Sequence, residues 1–281
     1  MKNILLPTDF SDNSWSAIAY ALQLLKNEPC KFYILHTYIP TIFNIEYVLV
    51  SPAQFGLGDA IRETALNNLK LLKDKIKTTF KNPKHQFETI ASFNNLILEI
   101  KDLVASKNID YIIMGTKGAT GTAEVLFGTN TIHVLNNAQC PVLAIPENFE
   151  YESPFEILFP TDLNLKFIEK HIEPLKEILK HFNSRINILH VYYGEELTVS
   201  QKENKKKLEN LLEQQAYLYH ESLNQNVDDA INIFQVKTKV NLLVMINNKH
   251  SFFENIFFKS KVNAIGFHLN IPFLVIPSKF K

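Results

Sequence analysis

The sequence predicts an α/β protein built from two tandem open parallel sheets of five strands, each flanked by helices. Apolar, β-branched runs alternate with stretches of helical periodicity, which is typical of βαβ units. The chain has 281 residues, and roughly 100–200 residues per domain favours two domains. Three short segments also occur twice in the same order, which indicates that one fold unit is repeated.

The repeat places the division between the two units near residue 150. ILLPTDF at 4–10 returns as ILFPTDL at 157–163, ILH at 34–36 returns at 188–190, and PVLAIP at 141–146 returns as PFLVIP at 272–277. The offset falls from 154 to 131 residues between the second and third matches, so the second copy is internally shorter. We therefore predict one domain at 1–149 and a second at 150–281.

The first half contains five predicted strands and four predicted helices. Ser11 is the expected N-cap of the first helix, because its hydroxyl can accept from a first-turn amide. The connection at 38–56 is long and rich in apolar residues, which is typical of a lid or a contact surface. The predicted strands are 3–8, 31–37, 86–91, 111–115 and 142–145, and the predicted helices are 11–26, 59–79, 95–106 and 129–137.

The second half repeats this order, with Asn164 at the position of the capping Ser11. The stretch at 195–215 is highly charged but alternates in sign, so it predicts the solvated face of a helix rather than a nucleic-acid surface. The predicted strands are 156–161, 186–192, 217–222, 242–246 and 273–276, and the predicted helices are 165–181, 201–215, 227–239 and 260–269.

The composition argues against several classes of function. The chain has 29 basic and 29 acidic residues, so no basic excess indicates a nucleic-acid partner. No apolar run approaches the ~18 residues of a membrane span, and no apolar stretch precedes the first strand, so we predict no membrane partner and a cytoplasmic location. Cys30 and Cys140 lack metal-site or CxxC spacing and are expected to be buried free thiols.

A glycine-rich loop is the feature of the chain most closely tied to chemistry. Four of the eight glycines lie within 115–128, between a predicted strand and a predicted helix. Glycine permits positive φ and close approach of backbone N–H groups, and the helix N-terminus offers further donors, so such a loop can cradle a phosphate. The spacing fits neither GxxxxGK[ST] nor GxGxxG. A turn that only connects the strand to the helix is the alternative.

The segment MGTKGATGTAEVLFGTNT at 114–131, with PTDFS at the end of the first strand and CPVLAIP at the last, resembles the ATP-binding branch of the universal stress protein family. The resemblance covers essentially all of 1–147 and, more weakly, 154–278, as in tandem two-domain members. It implies an adenine-nucleotide alpha-hydrolase-like, Rossmann-like fold and ATP as the ligand, with Mg²⁺ shielding the phosphates.

The resemblance also implies roles for individual residues. Asp9 matches the acidic residue that contacts the nucleotide, and Thr37 matches the residue whose backbone reads the adenine edge. Met114, Gly115 and Gly118 match the positions that line the ribose and phosphates. Asp9 has a second interpretation, because Asp162 repeats it in a half without the glycines, so both carboxylates can instead stabilise a turn.

At the opening of the helix, Gly128, Thr129 and Asn130 match the residues that donate hydrogen bonds to the phosphates. Asn130 departs from the family, which usually carries a small apolar residue there; the change is harmless if the contact is through the backbone. Lys117 either reaches the phosphates or is an exposed loop residue. No catalytic residue is predicted, because Glu124 is the one acidic or histidine side chain in the loop and no general base is evident.

The second copy has lost the glycines of the loop. Counting back from Pro272 places Ile246, Lys249, Phe252 and Lys259 at their positions, so we predict one nucleotide site in the whole chain. The aromatic cluster at 252–258 forms either core or a patch for a partner, and His250 and Ser251 beside it have no third partner for a nucleophilic site.

The predicted function is a universal stress protein that binds ATP as a regulatory or structural ligand. His36 and His190 recur at equivalent strand ends, which favours a repeated structural role for both. The resemblance further implies that 142–145 pairs with 273–276 inside the chain, and that the protein then self-associates through its last strands. The alternatives are a stress protein that binds no nucleotide, and a slow ATPase or nucleotide-dependent transferase with 38–56 as its lid.

Overall fold

The computed structural model describes residues 1–38, 57–118, 127–192, 194–223, 227–248 and 270–280. Its first half contains the predicted five strands and four helices, and the bounds of β4, α4 and β5 agree with the sequence-based ones. The elements are β1 Lys2–Pro7, α1 Asp12–Leu24, β2 Cys30–Thr37, α2 Leu57–Thr79, β3 His85–Ser92, α3 Leu96–Ser106, β4 Tyr111–Gly115, α4 Thr129–Asn137 and β5 Val142–Ile145.

The described part of the second half follows the same order. The predicted helix at 260–269, the aromatic cluster at 252–258 and the connection at 39–56 lie outside the described residues. The charged stretch does form a largely solvated helix, α6, which Thr198 caps by accepting from the amide of Gln201. The elements are β6 Glu156–Thr161, α5 Glu169–Phe182, β7 Arg185–Tyr192, α6 Val199–Leu211, β8 Tyr217–Leu223, α7 Val227–Thr238, β9 Leu242–Asn247 and β10 Phe273–Pro277.

The strands form one continuous ten-stranded sheet in the order β3-β2-β1-β4-β5-β10-β9-β6-β7-β8. The predicted α/β class is confirmed, and the two five-stranded parallel sheets are joined edge to edge. The joint is an antiparallel pair in which Leu143 lies opposite Leu274 and Val142 opposite Val275. The predicted pairing of the last strands therefore occurs within the chain.

This joint corrects the prediction that the chain self-associates through its last strands. β5 lies between β4 and β10, and β10 lies between β5 and β9. Both edges of both strands are thus hydrogen-bonded within one chain, so neither strand offers a backbone edge to a second copy.

Strand register supports the alignment of the two halves. Ile4 of β1 pairs with Tyr111, and Ile157, its counterpart, pairs with Leu242. At the other end of the same strands, Gly115 pairs with Ile145 and Ile246 pairs with Ile276. Ile246 therefore occupies the position of the first loop glycine, as the sequence predicted.

A hydrophobic core covers each face of the sheet and continues across the joint. Leu143 and Leu274 belong to one core, whereas Val142 and Val275 belong to the other. Because each core contains side chains from both halves, the halves share buried apolar surface as well as backbone hydrogen bonds.

The first helix of the second half begins later than predicted, and the predicted cap at Asn164 is wrong. Helix α5 starts at Glu169, with Ile168 at the N-cap. The preceding segment at 162–168 forms no helix, and Phe167 within it is buried with its ring 6.3 Å from that of Phe159. Burial of this large aromatic side chain outweighs four more helical residues.

His171 caps α5 instead. Its Nδ1 accepts from the Ile168 N–H at 3.3 Å, and its Nε2 donates to the Ser278 carbonyl at 3.0 Å. This arrangement requires a neutral ring, and burial lowers the pKa of His171, against the opposing effect of the Ser278 bond. Burial also lowers the pKa values of His85 and His220.

These histidines predict that acid destabilises the protein. A histidine whose pKa is depressed in the folded state binds protons preferentially when unfolded, so its contribution is present above its unfolded pKa of 6.5 and is lost as the pH falls below it. We expect the free energy of unfolding, measured by urea denaturation, to fall between about pH 7.5 and pH 5.5. His171→Gln keeps an acceptor for the Ile168 amide and should flatten this dependence; an unchanged slope would contradict the role of His171.

Both cysteines are buried free thiols, as predicted. Burial raises the pKa of Cys30 to about 11 and that of Cys140 to about 12. Neither thiol therefore has appreciable thiolate character near neutral pH. None of the helices in the described ranges combines the length and the apolar character that a membrane span requires.

Candidate nucleotide-binding cleft

A cleft opens at the carboxyl ends of β1, β2 and β4, where the strand order reverses between β1 and β4. Open parallel sheets bind ligands at this switch point. The cavity has a volume of about 130 Å³. Ligand sites for drug-sized molecules measure roughly 300 Å³ or more, so it would hold only part of a nucleotide. It is lined by Pro7, Thr8, Asp9, Ser14, His36, Thr37, Leu96, Met114, Gly115, Lys117, Gly118, Asn130 and Thr131.

The turn after β1 presents Asp9 to this cleft. Phe10 adopts a left-handed backbone with φ of 64°, and its N–H donates to Thr8 Oγ1 at 3.0 Å. Asp9 Oδ1 accepts from the Ser11 N–H at 3.1 Å and from the Ser11 hydroxyl at 2.5 Å. The carboxylate therefore stabilises the turn at the same time as it faces the loop after β4.

The same turn recurs in the second half without the glycine loop. Leu163 has φ of 59°, its N–H donates to Thr161 Oγ1 at 3.1 Å, and Asp162 Oδ1 accepts from the Asn164 N–H at 3.0 Å. The structural interpretation of both aspartates is thus supported by geometry. It is compatible with contact between Asp9 and a ligand, because Asp9 is exposed and lines the cleft.

The two equivalent histidines have the repeated structural role that the sequence predicted. His36 Nδ1 lies 2.8 Å from the Thr8 carbonyl oxygen, and His190 Nδ1 lies 3.1 Å from that of Thr161. Each ring ties the second strand of its half to the end of the first strand.

Two of the described loop glycines, Gly115 and Gly118, allow close approach, and none of the three described ones has a positive φ. A Cβ on Gly115 would lie 2.2 Å from Asn13 Oδ1, and a Cβ on Gly118 would lie 3.1 Å from Asp9 Oδ2. Gly128 has φ of −64°, and a Cβ there would meet its nearest neighbours at an ordinary 3.5 Å. Of the two properties that glycine permits, positive φ is therefore not used at these three positions, and Gly121 lies outside the described residues.

Helix α4 begins at an N-cap residue that makes no side-chain capping hydrogen bond. Its N-cap is Gly128, whereas Ser11 and Asn95 cap α1 and α3 with side-chain oxygens. Thr129 and Asn130 in the first turn are exposed. The first amides of a helix lack intrahelical acceptors and carry a partial positive charge, so this end is suited to an anion.

The loop and the helix are held together by short hydrogen bonds. The Gly128 N–H donates to the Thr116 carbonyl at 2.7 Å, and the buried Thr131 hydroxyl donates to the Gly115 carbonyl at 2.9 Å. These bonds fix the start of α4 against the end of β4, so the described part of the site is pre-organised.

The structure brings most of the predicted site residues to one place. Asp9, Thr37, Gly115, Gly118 and Asn130 line the cleft, and Gly128 and Thr129 lie next to it without lining the cavity. Met114 lines it in part, but it is buried and belongs to a hydrophobic core. Lys117 also lines it, whereas Glu124, His250 and Ser251 lie outside the described residues.

Sequence reasoning missed Asn13, which organises the loop from α1. The buried Asn13 side chain accepts from the Lys117 N–H at 2.9 Å and donates to the Ile145 carbonyl at 3.4 Å. It thereby connects α1, the glycine loop and the end of β5. The signal that could have identified it is an amide on the inward face of α1, where an apolar residue is expected.

Two larger cavities lie elsewhere, in the seam between the halves. Their volumes are about 580 and 530 Å³, and both are lined by Lys2, Tyr111 and Glu177. Glu177 accepts from Lys2 Nζ and from the Tyr111 hydroxyl, each at 2.8 Å, so these groups already satisfy one another. We place the candidate site in the smaller cleft because it combines the sheet switch point with an uncapped helix N-terminus.

Known proteins resemble this chain in sequence and in fold. A universal stress protein of Methanocaldococcus jannaschii is 29% identical over 151 residues, covering 51% of this chain and 81% of the relative. A Bacillus subtilis universal stress protein is 27% identical over 148 residues, covering 51% of this chain and 98% of the relative. The solved structure of a universal stress protein from Archaeoglobus fulgidus shares the fold, with a TM-score of 0.72 at 20% identity over 99% of this chain and 98% of its own. The family model matches residues 1–146, and the chain therefore belongs to the universal stress protein family.

Proposed function

We propose that the cleft of the first half binds ATP as a regulatory or structural ligand. The observation that carries this proposal is the N-terminus of α4, whose N-cap Gly128 offers no capping side chain and which lies at the switch point of the sheet, beside Gly115 and Gly118, where a side chain would be crowded. Backbone amides at such a helix end bind phosphate groups well because the donors and the helix dipole act together.

The family resemblance suggests the remaining contacts, and the cleft has room for them in part. The phosphates would lie against Gly118, Gly128, Thr129 and Asn130, with Gly115 and Met114 beneath the ribose. Asn130 is at the second helical position, so its backbone N–H can serve a phosphate whatever its side chain is. The end of β2 at Thr37 would receive the adenine edge, and Asp9 would contact the nucleotide from the opposite wall.

Mg²⁺ would accompany the phosphates rather than occupy a protein cage. The ion commonly binds through one or two carboxylates plus substrate phosphates, and Asp9 brings one carboxylate to the cleft. No group of three histidine, cysteine or acidic side chains within the described ranges is arranged to hold a metal ion by itself.

The proposal gives the two halves different roles. Residues 1–149 would form the ATP-binding domain and 150–281 a degenerate domain, because Ile246 fills the position of Gly115. The protein would act in the cytoplasm as a nucleotide-binding regulator and not as an enzyme. Any self-association would use surfaces other than the edges of the last strands.

The test is isothermal titration of the purified protein with ATP and Mg²⁺, after acid release has established whether nucleotide co-purifies. We expect about one ATP per chain, since one helix N-terminus offers the site. Absence of binding, with no nucleotide already present, would leave a stress protein that binds no nucleotide. Multiple-turnover release of ADP would instead favour the slow ATPase.

Gly118→Asp should weaken ATP binding at least about tenfold, because the new carboxylate would stand beside Asp9 where the phosphates are expected. Gly118 is exposed, so the fold should be retained, as judged by circular dichroism. Gly58→Asp is the matched control, since a Cβ there would meet nothing within 4 Å. Equal affinity in the two variants would place the ligand elsewhere.

A further inference from the structure

Helix α4 of the first half is held at both of its ends by residues of the second half. At its C-terminal end, Asn247 Nδ2 donates to the carbonyls of Leu135 at 3.0 Å and of Asn136 at 3.4 Å. Just before its N-terminal end, the Phe127 ring lies 6.0 Å from that of Phe273. Both contacts cross the joint between β5 and β10.

The contact at the C-terminal end satisfies carbonyls that the helix itself leaves open. The last four carbonyls of an α-helix lack intrahelical partners, and the C-cap of α4 is Ala138, whose side chain offers no donor. The Asn247 amide supplies that donor from a different half of the protein. It fixes the position of α4 along its own axis, which sets how far its N-terminus extends into the cleft.

The Asn247 residue is itself anchored through its backbone. Its backbone carbonyl accepts from the Ser278 N–H at 3.2 Å, and the Ser278 carbonyl accepts from His171 Nε2 at 3.0 Å. Asn247, which donates to α4, is therefore hydrogen-bonded into a unit of the second half, the frame, that consists of β9, the end of β10 and the start of α5. Movement of that frame would be transmitted to the C-terminal end of α4.

The contact at the N-terminal end is a buried aromatic pair. Phe127 immediately precedes Gly128, the N-cap of α4, and both Phe127 and Phe273 are buried. Packing between two large rings resists lateral movement of the loop at the point where it enters the helix.

We propose that the second half positions α4 for phosphate binding, with Asn247 as a positioning residue that never touches the nucleotide. This inference rests on the proposed ATP site. The second half, which lacks the loop glycines, would then have a role without binding a ligand itself. Linkage then requires that bound ATP strengthen the contact between Asn247 and α4 by the same free energy.

The test compares two asparagines at opposite ends of the same strand. Asn247→Ala should weaken ATP binding about threefold to tenfold. Asn241→Ala is the matched control, because the Asn241 side chain also makes two hydrogen bonds, to the Ser153 carbonyl and from the Glu156 N–H, but lies at the other end of β9. It should lower the melting temperature and leave the dissociation constant of ATP unchanged.

Two further variants and one exchange measurement separate positioning from general destabilisation. Asn247→Asp removes the donor, adds a negative charge at a helix C-terminus and should weaken binding more than alanine does. Asn247→Ser keeps a hydrogen-bond donor, and it is the variant to measure if Asn247→Ala is too unstable. Hydrogen exchange should show faster exchange of the hydrogen-bonded Ile132 and Ala138 amides, near the two ends of α4, in Asn247→Ala but not in Asn241→Ala.

The outcomes are distinct for the two proposals. If the wild-type protein binds no ATP, the proposed function fails and this inference fails with it. If the wild type binds ATP and the Asn247 and Asn241 variants bind it equally well, the positioning role alone is overturned.

Discussion

Phe273→Ala is expected to lower the free energy of unfolding by about 3–5 kcal/mol, the usual cost of removing a fully buried phenylalanine ring. Phe273 is 0% exposed, lies in β10 opposite Ala144 of β5, and contacts Phe127 of the first half. Its removal leaves a cavity at the joint between the halves, where the sheet cannot collapse without disturbing two strands. Urea denaturation followed by circular dichroism measures the effect.

Phe155→Ala is the matched control for this variant. Phe155 is 57% exposed just before β6, so its replacement should change the free energy of unfolding by no more than about 0.5 kcal/mol. Hydrogen exchange adds a second readout, because the amides of β5 in the first half should lose protection in Phe273→Ala. Intact protection of β5 would mean that the two halves do not share a core.

Gly115→Ala is expected to cost about 1–3 kcal/mol, the range for forcing an extra methyl group into a packed site. The new Cβ would lie 2.2 Å from Asn13 Oδ1 and 3.1 Å from the Asn13 backbone oxygen. Rotation of the Asn13 side chain would relieve the contact with Oδ1, but it would break the hydrogen bonds of that side chain to Lys117 and Ile145. The contact with the Asn13 backbone oxygen would remain. ATP affinity should fall as well, since the loop loses the bond from its Lys117 amide.

A double-mutant cycle isolates the steric origin of this effect. Asn13→Ala removes the atoms nearest the new Cβ, so Gly115→Ala should cost less in the Asn13→Ala background than in the wild type. Gly58→Ala controls for the change of residue type, because a Cβ there meets nothing within 4 Å and alanine favours the helix. Additive costs for Asn13 and Gly115 would contradict the clash.

The sequence predicts the elements of the first half closely because their signals are local. Buried parallel strands are continuous apolar runs and surface helices have a clear period, so the predicted bounds of β4, α4 and β5 are those that the structure shows. The start of α5 is mispredicted because it depends on a non-local contact. Asn164 has the local chemistry of a cap, but burial of Phe167 against Phe159, a contact made by tertiary packing, decides where the helix begins.

In the candidate site, too, some residues are predicted by local motifs and others are recognised only in the folded structure. The glycine loop and the end of the first strand, through the family resemblance, predict Asp9, Gly115 and Gly118 as site residues, and the three line one cleft. Asn13 belongs to no motif, and the reason for Gly115 is visible only when α1 is packed against the loop. The role of Asp9 in the turn likewise follows from its hydrogen bonds to Ser11, which Asp162 repeats in part with Asn164.

The sequence by itself determined the α/β class, the repeat, the family resemblance and the loss of the second glycine loop, because all four are written in short segments and their spacing. The family resemblance also implied that the last strands pair, but only the tertiary structure decided that Asn247 and Phe273 hold a helix of the other half. Their partners lie more than 100 residues away along the chain. Contacts at that separation are fixed by strand pairing and side-chain packing, for which no local pattern in the chain provides a signal.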